Sequence, residues 1–162
     1  MTKKKSGKPV TARDVMITEV VTVSYAAPLS EVERLLVENK ISGMPVVDEA
    51  GHVVGVVSIK DLIERYAEDP DSRPRRGAGY YHVSLEDMAD EDYEAFDLPE
   101  EAEETAEDLM TPEIFAVPAD ASIPEVAAQM YEHRVHRLLV QDGNKFVGIV
   151  TTLEVLGAVA RL

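Results

Sequence analysis

There is no cysteine in these 162 residues, so the chain can form no disulfide, offers no thiol nucleophile and builds no thiolate metal site. No apolar run approaches the ~20 residues that span a bilayer. The basic start, Lys3-Lys4-Lys5 to Lys8, lacks the apolar stretch of a secretory signal and reads as a flexible, solubilising arm. These absences fit a cytoplasmic setting. Between Arg76 and Arg134 there is neither lysine nor arginine, and the net charge is −15; a nucleic-acid backbone would be repelled, which argues against general nucleic-acid binding. Motifs for catalysis are missing too. There is no nucleophile elbow and no phosphate-cradling glycine loop. Of His52, His82, His133 and His136, only the last two have metal-ligand spacing, and they straddle a helix end and a strand start rather than one helical face. The expectation is a protein that is not an enzyme and holds no metal.

What the chain does have is a repeat. Asp14 to Leu62 runs through an order of features that Asp108 to Val155 repeats roughly 94 residues later. Asp14-Val15-Met16 matches Asp108-Leu109-Met110, Val20 to Val23 matches Ile114 to Val117, and Glu31-Val32 matches Glu125-Val126. Further on, Ile41 to Val46 matches Val135 to Val140, and Gly55 to Asp61 matches Gly148 to Glu154.

Within each copy the periods name the elements. Val20 to Val23 and Ile114 to Val117 are short β-branched stretches bounded by polar residues or proline, which predicts strands. Leu29, Val32, Leu35, Leu36 and Ile41 are spaced to line one helical face, as are Ile123, Val126, Ala127 and Met130. Strands at Met44 to Val47 and Leu138 to Val140 lead through turns at Glu49-Ala50-Gly51 and Asp142-Gly143-Asn144. The returning strands, Val53 to Val57 and Phe146 to Val150, are nearly continuous apolar runs, as expected of strands covered on both faces. Each copy closes on a helix, Ile59 to Tyr66 or Thr152 to Ala160. With 45% hydrophobic residues there is material for one compact core built from both copies.

This β-α-β-β-α order, with Asp-Val-Met ahead of it, Gly43-Met44-Pro45-Val46-Val47-Asp48 in its middle and Gly55-Val56-Val57-Ser58-x-x-Asp61 at its end, resembles the cystathionine β-synthase (CBS) domain family. The resemblance covers about two thirds of the chain. It implies an α/β (α+β) fold, a tandem CBS pair in which two β-α-β-β-α repeats pack sheet to sheet with pseudo-twofold symmetry. It also implies a stand-alone regulatory module whose clefts bind adenine nucleotides or S-adenosyl compounds, and whose helices pair two protomers into a homodimer. The expected layout is a basic arm at 1–10, motif one at 11–67, an acidic insertion at 68–104 and motif two at 105–162.

The candidate site residues follow from chemistry and resemblance together. Ser58 and Asp61, like Thr151 and Glu154, stand where a strand hands over to a helix, whose N-terminus offers unpaired N–H groups and partial positive charge to a phosphate. A carboxylate one turn on can accept from both hydroxyls of a ribose, and a base would lie against Val20, Val21, Ile41 and Met44, or Ile114, Phe115, Val135 and Leu138. The same spacing is also that of a helix capping box, and the two roles are compatible, since a capping hydroxyl can exchange its partner for phosphate. Copy two has Glu154 where the family usually has Asp, and Leu139 where copy one has Pro45. Its Val135-His136-Arg137-Leu138 resembles basic, phosphate-facing segments of the γ subunits of AMP-activated protein kinases, and arginine's planar fork suits phosphate; a surface ion pair is the plainer role for Arg137. Carried over by position, one cleft would combine Ser58 and Asp61 with Thr111, Ile114, Val135 and His136. The other would combine Thr151, Glu154 and Arg137 with Thr18, Val21, Ile41 and Ser42. The resemblance favours AMP, ADP or ATP over S-adenosylmethionine, requires no cofactor, and leaves open whether Mg²⁺ accompanies the phosphates.

From Glu86 to Asp108 there are thirteen acids and no lysine or arginine. Such a block repels itself and stays solvated, yet Leu85, Met88 and Phe96 have the spacing of an acidic amphipathic helix. The alternative reading of the whole chain is therefore a ligand-free dimeric scaffold that meets an effector protein through this insertion. Arg73, Arg75 and Arg76, just before it, can meet a phosphate or the acidic block itself, and the block is the simpler partner.

Overall fold

A computed structural model describes residues 8–66 and 104–161, and Tyr66 by its backbone alone. Residues 1–7 of the basic arm, and 67–103 with Arg73, Arg75, Arg76, Leu85, Met88 and Phe96, lie outside the described residues. In chain order the elements are α1 (Ala12–Val15), β1 (Val23–Ser24), α2 (Leu29–Asn39), β2 (Gly43–Val47), β3 (Val53–Ser58) and α3 (Ile59–Tyr66), followed by α4 (Ala106–Leu109), β4 (Ala116–Pro118), α5 (Ile123–His133), β5 (Arg137–Asp142), β6 (Lys145–Thr151) and α6 (Thr152–Val159). They form two three-stranded sheets, β1-β2-β3 and β4-β5-β6, each with a parallel first pair and an antiparallel hairpin.

The long helices are amphipathic as the spacing predicts. α2 buries Leu29, Val32 and Leu36, and α5 buries Ile123, Val126 and Met130. Both end on a left-handed cap, Lys40 at φ 50° and Arg134 at φ 57°. The N–H groups of Ile41 and Val135 then reach back to the carbonyls of Leu36 and Met130, at 3.1 and 3.0 Å. This is a Schellman closure, which satisfies carbonyls that the helix end would leave orphaned. It corrects one expectation. Ile41 does not extend the helical face; it lies past the cap and starts the run into β2.

The first strands are also shorter than expected, Val23–Ser24 rather than Val20 to Val23, and Ala116–Pro118 rather than Ile114 to Val117. The reason is an exchange of leaders between the copies. Copy one's leader docks on copy two: Ala12 and Arg13 donate to the carbonyls of Ala121 and Ala119 at 2.8 and 2.9 Å, and Ile17 exchanges backbone hydrogen bonds with Ile149 on the edge of β6. Copy two's leader docks on copy one in the same way. Ala106 and Glu107 donate to Ala27 and Tyr25, and Thr111 exchanges hydrogen bonds with Val56 on the edge of β3. Ala12 thus belongs to copy two's core and Ala106 to copy one's. Only after crossing back does each leader reach its own sheet, so only its last two or three residues have a ladder to join.

Glycine makes the crossing close. A Cβ on Gly148 would lie 2.5 Å from the carbonyl oxygen of Ile17, and one on Gly55 would lie 2.6 Å from Sδ of Met110 and 2.8 Å from the carbonyl oxygen of Thr111. No side chain fits at either position without moving backbone. The two cores meet at Val56, a β3 residue packed in copy two's cluster. Leu29, Leu36, Met44, Leu62, Leu138 and Leu139 are fully buried, each contributing about 1.5–3 kcal/mol of apolar transfer.

Candidate functional site

At the end of the first sheet four polar side chains are buried together with the strand-to-helix junction. Ser58 closes β3 and Asp61 stands in the first turn of α3, at 0 and 6% exposure. The Asp61 carboxylate accepts from the Ser58 N–H and hydroxyl at 2.7 and 2.8 Å, and the Asp61 N–H points back at the Ser58 hydroxyl at 3.3 Å. This is a closed capping box, so the capping role is realised here. Ser42 precedes β2, and its carbonyl accepts from the Ile59 N–H at 2.9 Å, while Gly43 pairs with Ser58 in register. Thr111 comes from copy two's leader, on the β3 edge two residues before Ser58. The side-chain oxygens of Ser42 and Thr111, in residues 2 and 5% exposed, make no hydrogen bond among the described residues. A buried hydroxyl left so costs about 1–3 kcal/mol, and the two backbones pair with Ile59 and Val56, on either side of Ser58 along the chain.

The pseudo-equivalent end of the second sheet is built differently. The Thr151 N–H and hydroxyl donate to the Glu154 carboxylate, again closing a capping box. Arg137, 8% exposed, pairs with Thr151 in register. The carbonyl of His136 accepts from the Thr152 N–H and hydroxyl at 3.0 and 3.2 Å, with its exposed ring beside that hydroxyl. This end therefore carries a buried guanidinium and an imidazole, where the first end carries two hydroxyls and a carboxylate.

Within its own sheet each hairpin sets Ile41 and Ser42 beside the Ser58–Asp61 junction, and Val135 and His136 beside the Thr151–Glu154 junction. An antiparallel hairpin sets the start of its first strand beside the end of its second, so the register was readable from the turns at Gly51 and Gly143. Residues 112–115, with Ile114, run from the β3 edge to β4, and residues 18–22, with Thr18 and Val21, run from the β6 edge to β1. By backbone neighbourhood Ser58 and Asp61 thus stand with Ile41, Ser42, Thr111 and Ile114, and Thr151 and Glu154 with Val135, His136, Arg137, Thr18 and Val21. Met16 and Met110, which lie against the two crossing glycines, were matched in the repeat but not given a role. Among the described residues no group of three His, Asp or Glu could hold a metal ion.

A model of the CBS domain matches residues 12–68 and again residues 106–161. The chain belongs to the CBS-domain family. It is 33% identical over 146 residues to the CBS domain-containing protein CBSX1, chloroplastic, of Arabidopsis thaliana, an alignment that takes in 86% of this chain and 59% of that protein. A crystal structure of CBSX2 in complex with AMP superposes with a TM-score of 0.65 at 25% identity, covering 93% of this chain and 96% of that one. The CBS domain of a bacterial CNNM/CorC family Mg²⁺ transporter, in complex with ATP, shares the fold at a TM-score of 0.65 and 21% identity, covering 93% and 87%. The CBS pair here is the tandem, mixed α and β architecture of those structures, and no helix among its described residues is long and apolar enough to cross a membrane.

Proposed function

We propose that this CBS pair is a regulatory module that senses an adenine nucleotide, AMP, ADP or ATP, in the two clefts between its motifs. The observation that carries the reading is the pair of buried hydroxyls of Ser42 and Thr111, without a hydrogen bond among the described residues, near the Ser58–Asp61 capping box. They are the kind of donors and acceptors that a ribose or phosphate would satisfy, and the AMP complex of CBSX2 supports an adenosyl ligand. S-adenosylmethionine is the less favoured ligand, since a guanidinium repels a sulfonium.

The two ends divide the work. Asp61 exchanges its bonds to Ser58 for the ribose hydroxyls, and the freed α3 N-terminus faces the ligand. At the other end Arg137 and His136 take the phosphate. A ligand shifts the angle between motifs only by binding one arrangement more tightly than another, and the exchanged leaders are the elements that such a shift would move.

Calorimetric titration with AMP and with adenosine tests this division. Asp61→Ala is expected to remove the ribose-directed site, and Arg137→Met to weaken AMP by about 10- to 100-fold, the worth of a charge-assisted hydrogen bond, while leaving adenosine unchanged. An Arg137→Met protein, folded by circular dichroism, that binds AMP as the parent does would overturn the assignment.

A further inference from the structure

On α6, Gly157 stands where the matched position of α3 has Glu64. Motif one thus carries a carboxylate of its own at this place. The Glu64 side chain is 15% exposed, and its oxygen nearest Lys60, at 3.7 Å, is buried without a hydrogen bond among the described residues. Motif two is bare there. A Cβ on Gly157 would meet nothing nearer than Nη2 of Arg161, 4.0 Å away. The hollow belongs to an open groove of about 540 Å³ between α1 and α6, with Val15, Leu153 and Leu156 among its apolar borders and Asp14, Glu154 and Arg161 as its charges. That volume falls within the roughly 300–1,000 Å³ of small-ligand sites. Arg161 is exposed, and its side chain has no hydrogen bond or ion pair among the described residues.

We propose that this groove binds a medium-chain fatty carboxylate, its head on Arg161 and its chain over Gly157 against Val15, Leu153 and Leu156. The pseudo-equivalent position points to the head group. A carboxylate on a short apolar stem is accommodated on α3, whereas on α6 the cation is present and the carboxylate is missing. The apolar borders call for a chain longer than a glutamate stem. Both acids of the groove are already engaged: Asp14 accepts from the Thr11 N–H and Glu154 from the Thr151 N–H, at 2.9 and 3.0 Å. Glu154 also lies seven residues before Arg161, roughly 10 Å along a helix at 1.5 Å per residue and about a Debye length at physiological salt. Screening therefore leaves the head group to Arg161, and the same distance suits a chain about as long as octanoate. Neither Gly157 nor Arg161 is among the nucleotide-site residues, so binding here is independent of AMP.

A methyl-detected NMR titration with octanoate tests the site. Resonances of Val15, Leu153 and Leu156 are expected to shift together and saturate, with affinity rising along butyrate, hexanoate and octanoate by up to about fourfold per buried methylene. Gly157→Glu, which puts motif one's carboxylate in the hollow and favours the helix, is expected to abolish binding while keeping the circular dichroism of the parent. Arg161→Gln should weaken octanoate by roughly threefold or more and leave octanol unchanged. Octanoate that fails to saturate these methyls at millimolar concentration overturns the proposal. So do shifts centred elsewhere, undiminished binding in Gly157→Glu, or equal weakening of octanoate and octanol in Arg161→Gln.

Discussion

Gly148 and Gly55 hold the exchanged leaders against the sheets, and at both positions the space for even a methyl group is filled by backbone. In Gly148→Ala the gain from a stiffer unfolded chain, about 0.4–1 kcal/mol, is outweighed by overlap with the Ile17 carbonyl. A net loss of about 1–3 kcal/mol is expected from overpacking of this kind. Gly55→Ala should lose somewhat less, because its closest backbone neighbour, the Thr111 carbonyl oxygen, would be 2.8 Å away rather than 2.5 Å. Urea unfolding at constant slope measures both. A Gly148→Ala protein as stable as the parent would mean that the Ile17 segment is not seated on β6. At this scale the sequence was informative about identity and poor about company. Ser58, Asp61, Thr151 and Glu154 were legible from the strand-to-helix handover. The placing of Ser42 beside Ile59, and of His136 beside Thr152, was not drawn from the hairpins although their registers imply it. That the hydroxyls of Ser42 and Thr111 make no hydrogen bond among the described residues is a property of three-dimensional packing, and no spacing records it.

Helix starts carry the next layer of stability. Hydrogen bonds from Thr11, Thr105 and Ser122 hold the carboxyls of Asp14, Asp108 and Glu125 below their ordinary values, the backbone N–H being the larger cause for the two aspartates and the hydroxyl for the glutamate. Each is more acidic folded than unfolded, so its contribution is complete above the unfolded values of 3.8 and 4.5 and is lost as the pH falls through the folded ones. Glu64 works in the opposite sense. Burial raises its carboxyl, so what it contributes is present at low pH and is lost as pH rises through its folded value. Melting midpoints between about pH 5 and 2 should therefore fall less steeply for the triple variant Asp14→Asn, Asp108→Asn, Glu125→Gln than for the parent. Identical slopes would show that these caps do not govern acid unfolding. The elements differed in legibility for a physical reason. α3 runs Ile59–Tyr66 as its pattern predicts, since periodicity and capping are local. β1 and β4 came out shorter, since pairing depends on where a leader crosses, and that is decided by the other copy, at Ile149 for Ile17 and at Val56 for Thr111.

For the whole molecule, the exchange of leaders means that neither motif completes its core alone: Ala12 sits in motif two's cluster and Ala106 in motif one's. The pair is therefore expected to unfold as one unit. Repetition made this architecture legible at the start, because two copies of one β-α-β-β-α order point to a pseudo-twofold pair. Repetition also concealed the asymmetry, hydroxyls and a carboxylate at one end against a guanidinium and an imidazole at the other. The most direct test of nucleotide sensing is the thermal midpoint of the parent and Asp61→Ala, each with AMP, ADP, ATP, NADH or S-adenosylmethionine in large excess. A ligand at 100 times its dissociation constant adds about 2.7 kcal/mol, roughly 5–10 °C for a domain of this size. A rise of that order with an adenine nucleotide, reduced in Asp61→Ala, is the expected result; no rise with any of the five would contradict it.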